Sequence, residues 1–87
     1  MPTEIGQLTK LTWLNIHNNR LTLLPATIGA LKGLIGLMVL DNQLKRLPKS
    51  IAALKKLKDI DLRDNPIAKP QQRQIQQWLP NCKVRFE

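Results

Sequence analysis

The aliphatic positions of this chain recur with a long, regular period. Leu11, Leu34 and Leu57 stand 23 residues apart, and from each of them the pattern LxxLxLxxNxL is filled without exception. The first copy uses Leu11, Leu14, Ile16, Asn19 and Leu21. The second uses Leu34, Leu37, Val39, Asn42 and Leu44, and the third Leu57, Ile60, Leu62, Asn65 and Ile67. The second halves agree as well, because Leu24-Pro25, Ile28 and Leu31 are matched by Leu47-Pro48, Ile51 and Leu54. Met1-Pro2, Ile5 and Leu8 have the spacing of the end of a preceding copy. Such a period is the mark of a solenoid, in which each repeat is one coil and stacked neighbours bury a continuous core.

Within a coil the apolar spacing changes. Leu14 and Ile16 alternate as in a strand, whereas Ile28 and Leu31, like Ile51 and Leu54, lie three apart as on a helical turn. Strands that recur once per coil lie parallel, each beside its copy. The asparagines suit the place where the coil turns inward, since a side-chain amide both donates and accepts and so satisfies backbone groups that are costly to bury unpaired. None of Asn19, Asn42 and Asn65 has Ser or Thr two places on, so none is a glycosylation acceptor.

These motifs resemble the leucine-rich-repeat family, in its 23-residue class with an LPxxIxxLxxL second half, widespread in bacterial and in Ras-pathway-associated (Ras-suppressor-like) proteins. The resemblance covers residues 1–69. It implies an α/β solenoid: a fragment of a right-handed horseshoe, with short parallel strands on the concave side and looser helical or extended segments on the convex side. It also implies that Asn19, Asn42 and Asn65 stack as a ladder. The expected division is leucine-rich repeats over 1–69, as a partial repeat 1–10 and repeats from 11, 34 and 57, followed by a cap over 70–87. In the latter, QQRQIQQWL places Ile75, Trp78 and Leu79 on one face of a short helix stopped by Pro80, and Lys83 to Phe86 alternate like a last strand. This resembles bacterial C-terminal caps, and Trp78 and Phe86 are expected in the cap core. Met1 to Lys10 supply no strand, so the flank of the first full coil is expected to be uncovered.

Composition narrows the function. There is no Tyr, one Phe and one Cys among 87 residues, so the interior is aliphatic and no internal disulfide can form. A single cysteine, no leader-like segment and no long apolar run point to a reducing, cytoplasmic compartment and to no membrane span. Cys82 is expected to be a structural, half-buried thiol. His17 is the only histidine and has no nucleophile placed beside it by any motif, and no phosphate-binding loop occurs, so the chain reads as non-catalytic and without cofactor.

Side chains that alternate with the buried ones face the concave side. They are Trp13, Asn15, His17 and Asn18 in the first repeat, Gly36, Met38, Leu40 and Asp41 in the second, and Asp59, Asp61, Arg63 and Asp64 in the third. An aromatic and apolar end with Trp13, Met38 and Leu40 has the composition of an interface core. The aspartates lack the spacing of a calcium loop and read as solvated strand residues. The net charge of +8 invites a nucleic-acid reading, yet four of the six acids crowd the concave strip and no aromatics interleave with the lysines. The expected function is therefore a protein-interaction module using the concave face, with an unidentified protein partner, no specific nucleic acid, and a homodimer through the N-terminal edge. Two alternatives stand beside it: a structural fragment of a longer repeat protein whose binding or active part lies elsewhere, and weak anion binding by the basic convex face.

Overall fold

The computed structural model describes residues 2–17 and 19–86. Four short strands, β1 (Trp13–Asn15), β2 (Gly36–Met38), β3 (Asp59–Asp61) and β4 (Lys83–Arg85), form one parallel sheet in sequence order. Register follows the repeat: Leu14 lies beside Leu37, Ile60 and Val84 in turn. On the opposite side run three 3-10 segments, Thr3–Gln7, Ala26–Ala30 and Lys49–Ala53. Each follows an extended proline, Pro2, Pro25 or Pro48, whose fixed φ sets the entry and whose missing N–H is not needed in the first turn. Each closes with a three-residue bond, Leu8 to Ile5, Leu31 to Ile28 and Leu54 to Ile51, near 3.1 Å.

Between strands and 3-10 segments lies the aliphatic core. Ile28, Leu31, Leu34, Leu37, Val39, Leu44 and their third-coil counterparts are essentially inaccessible. Their first-coil equivalents are not: Ile5, Leu11, Leu14, Ile16 and Leu21 are only partly buried, and Leu8 is 52% exposed. The gradient follows from stacking, because a coil is sealed by the coils on either side and, among the described residues, the strand of the first coil has a neighbour on one side.

The turn after each strand is held by a side-chain amide. Asn42 Oδ1 accepts from the backbone N–H of Asn19 (3.0 Å) and Leu21 (2.9 Å), while its Nδ2 donates to Ile16 C=O (3.0 Å) and Val39 C=O (2.9 Å). Asn65 repeats this one coil on, accepting from Leu44 N–H at 3.0 Å and donating to Val39 C=O at 3.0 Å and Leu62 C=O at 3.1 Å. Asn19 is exposed, and among the described residues its side chain makes one bond, the local one to His17 C=O at 2.9 Å. Asp41 and Asp64, one residue before Asn42 and Asn65, have φ of 57° and 61°. This left-handed conformation suits Asp better than most residues.

A second ladder, on the convex side, has no counterpart in the expectations from sequence. Thr27 Oγ1 donates to Thr3 C=O at 2.8 Å and Ser50 Oγ to Ala26 C=O at 2.7 Å, tying each 3-10 segment to the one before it. The approach is close enough that a methyl on Gly6 or Gly29 would come within 2.7 Å of the Thr27 or Ser50 carbonyl oxygen. The third copy carries Ala52 at this position, where no further 3-10 segment follows.

The C-terminal end is closed by α1 (Lys69–Trp78) and β4. The helix starts ahead of the expected QQRQIQQWL stretch because Pro70 is accommodated in its first turn. Ile75 and Leu79 enter the core, Trp78 and Phe86 pack partly buried against it, and Cys82 is buried. Burial pushes the Cys82 thiol up to about 11, which leaves it unreactive. Glutamines finish the backbone: Gln71 Oε1 accepts from Leu47 N–H (3.2 Å), and Gln72 Nε2 donates to Ile67 C=O (2.9 Å).

The middle and first rungs of the amide ladder differ in consequence. Asn42→Ala should cost about 2–4 kcal/mol in urea unfolding, because it orphans several backbone groups at once. Asn19→Ala, with one exposed local bond, should cost under about 1 kcal/mol. Equal losses would show that the ladder is not what holds the turns.

Candidate functional site: the concave strand face

Parallel register sets the concave side chains in rows across the coils. One row is Trp13, Gly36, Asp59, Lys83, and the next is Asn15, Met38, Asp61, Arg85. Beyond the strand ends follow His17, Leu40 and Arg63, one from each repeat. Of the expected concave residues, Trp13, Asn15, His17, Gly36, Met38, Leu40, Asp59, Asp61 and Arg63 fall in these rows, and Asn18 lies outside the described residues. Asp41 and Asp64 belong to the turns rather than the strands.

The first-coil end of this face is aromatic. Trp13 is 51% exposed, and its indole lies over the backbone of Gly36 on β2, so closely that a methyl there would overlap the ring. Gly36 is buried as a result, and the absence of a side chain at this position creates the bed on which the ring rests. Met38 in the next row and Leu40 in the row beyond it are half-buried rather than fully exposed. Asn15 Oδ1 is hydrogen-bonded to His17 Nδ1, so these two side chains form one exposed polar pair.

At the other end the structure corrects the expectation of solvated aspartates. Asp61 is 2% exposed, and Arg63 clamps it with Nε at 2.9 Å and a terminal nitrogen at 2.7 Å. Arg63 also donates its backbone N–H to Asp61 at 3.2 Å. Arg85 on β4 reaches Asp59 at 3.4 Å and approaches Asp61 at 4.0 Å. Two placements combine: Arg63 follows Asp61 by two residues in the same coil, and the register of the cap strand sets Arg85 beside Asp61 and within reach of Asp59. The hydrogen bonds from Arg63 hold the Asp61 carboxyl below its usual range, against the opposing effect of burial. Asp59 keeps one carboxylate oxygen buried with no partner among the described residues. Half the expected acidic strip is therefore an internal ion-pair network, and Asp64 remains exposed.

The shape of the face is shallow. Four three-residue strands offer little concavity, and the described cavities lie elsewhere. One of about 120 Å³ sits between the third coil and the cap, lined by Leu54, Leu57, Trp78, Leu79 and Cys82 among others. Such a surface is suited to broad contact rather than to enclosing a small molecule.

Comparison with known proteins agrees with this architecture. A family model described as leucine rich repeat matches residues 7–67. Among solved structures, a leucine-rich-repeat (LRR) protein of Leptospira interrogans superposes with a TM-score of 0.97 at 44% identity, over 99% of this chain and 22% of that one. The chain thus spans less than a quarter of that relative's length. Comparison with curated proteins gave no match.

The depressed Asp61 carboxyl makes an acid-limb prediction. A group whose folded value lies below its ordinary value of 3.8 stabilises the fold above that pH, and the contribution is lost as pH falls below it. Urea stability of the native chain should therefore drop below that pH more steeply than that of Asp61→Asn. Superimposable acid limbs would count against the Arg63 clamp.

Proposed function

This chain belongs to the leucine-rich-repeat family, and from that premise we propose that it is a non-catalytic protein-interaction module whose partner docks on the concave strand face. One observation carries the reading: the indole of Trp13, half exposed, rests on Gly36, with half-buried Met38 in the next row. A large side chain already held in place loses little freedom on binding, which is what makes an aromatic anchor effective. Leu40 extends the apolar centre, while Asn15, His17 and Asp41 supply a polar rim. Asp59, Asp61 and Arg63 form its stiff outer end. No described helix is long and apolar enough to cross a membrane, and the reading places the module in the cytoplasm, where its single thiol stays reduced.

A second reading concerns assembly. β1 is the edge of the sheet, its coil leaves Leu8 exposed and Leu11, Leu14 and Ile16 half covered, and no charged residue or proline interrupts Thr12 to Ile16. An edge of that composition lacks the usual guards against strand pairing. A twofold pairing of Thr12 to His17 with its own copy, antiparallel across the axis, would join two sheets and seal both open coils.

The two readings separate experimentally. A photo-crosslinking residue at Met38 should capture the partner where one at Ala52, on the convex side, does not. Trp13→Ala should then weaken binding of the purified partner by about 2 kcal/mol in calorimetry. Crosslinks confined to Ala52 would overturn the concave assignment. For assembly, light scattering at tens of micromolar should show a dimer that Thr12→Lys dissociates, and a monomer at that concentration would remove the second reading.

A further inference from the structure

The segments that carry the chain from the 3-10 turns into the strands stack directly on one another. Ile35 N–H donates to Thr12 C=O at 2.7 Å, Lys58 N–H to Ile35 C=O at 2.9 Å, and Lys83 N–H to Lys58 C=O at 2.9 Å. They make one flank of the solenoid. Residues 8–12, 31–35 and 54–58 contain Lys10, Lys32, Lys55, Lys56 and Lys58 and no acid, and Lys83 adjoins them from the cap. All six lysines are exposed, and none is in an ion pair among the described residues. The opposite flank, after the strands, mixes Arg20, Lys45, Arg46 and Arg63 with Asp41 and Asp64. Six of the fourteen cations thus stand where the chain rises into the sheet, whereas the convex 3-10 segments hold only Lys49 and Glu4.

We propose that this flank binds an extended acidic segment of a protein partner, its carboxylates paired with Lys32, Lys55, Lys56 and Lys58 and an apolar side chain resting on Ile35. Charge complementarity selects an anion, and the chemistry of the flank selects its class. Ile35 is 41% exposed in the row of Thr12 and Lys58, giving the lysines one apolar foothold. Residues 8–12, 31–35 and 54–58 contain no aromatic residue to stack a base, Trp13 lies in the concave row, and Trp78 packs partly buried against the core. No arginine supplies the forked donors that suit a phosphate ester. The flank is coil rather than an amphipathic helix and has no broad apolar face to insert into a bilayer. An extended polypeptide laid across the coils presents side chains on one side every ~7 Å, against a coil separation of ~4.8 Å, and four-carbon lysine stems absorb the difference. The site is separate from the concave face and does not rest on that reading.

The test is fluorescence anisotropy of a labelled poly-glutamate peptide with a central leucine, titrated with the full chain. Lys55→Glu/Lys58→Glu should weaken binding at least about tenfold, whereas Lys45→Glu/Arg46→Glu, with the same change in net charge, should weaken it by no more than about twofold, because only the first removes adjacent charges rather than distant, screened ones. Lys55→Gln/Lys58→Gln should give an intermediate loss, with circular dichroism confirming that every variant is folded. Trp13→Ala should leave the affinity unchanged, so failure of the concave assignment leaves this one standing. Equal losses from the two charge-reversed variants would overturn the proposal. So would tighter binding of oligothymidylate of equal charge, or of phosphatidylserine vesicles, than of the peptide.

Discussion

The structure depends on side-chain amides that do for the backbone what no backbone partner can do at a turn. A strand of three residues is too short to hold its own place, and the chain leaves it at once for the convex side. Asn42 and Asn65 bridge that departure by accepting from the preceding coil while donating to carbonyls of that coil and of their own. Only then can the aliphatic residues on either side meet without stranded N–H or C=O groups. The hydrophobic contribution, large as it is, acts after this condition has been met.

From that constraint the other features follow in sequence. An asparagine at fixed spacing forces the coils into register, and register sets Trp13 over Gly36 and Asp61 between Arg63 and Arg85. The tight convex spacing needs Gly6 and Gly29 for the same reason, because coils spaced by strand pairing on one side must approach equally on the other. The surface inherits this discipline: what faces the concave side is a grid, one side chain per coil per row, on which a partner meets composition rather than a pocket.

The core and the coil were legible in the chain itself, because a repeated pattern states its periodicity three times over and Leu37 or Ile60 can face only one way. Cap residues Ile75 and Leu79 were legible for the same reason, from spacing within one helix. The ion-pair network was not. Asp59 meets Arg85 across 26 residues, outside the repeat, and that pairing depends on the register of β4 rather than on any local pattern. The 23-residue period sets Gly36 beside Trp13, but the turn of the indole onto it is a choice of side-chain rotamer that no repeat pattern states. Asp41 and Asp64 looked like acids of a binding strip, and their left-handed backbone shows that the turn has a claim on them too. A preference for Asn or Asp at a turn is visible in sequence, but it is easily mistaken for a choice of charge.

The unequal burial of the coils also bears on the order in which the molecule comes apart. Ile60, Leu62 and Ile75 are sealed between a coil and a cap, whereas Leu11, Leu14 and Ile16 are covered from one side. In a one-dimensional array each unit is held chiefly by its neighbours, so cooperativity decays toward the end with fewer of them. Amide exchange would then be fastest around β1 and slowest around β3, with opening that begins in the first coil and spreads toward the helix. The coil that carries Trp13 is accordingly the one with the most freedom to adjust its shape.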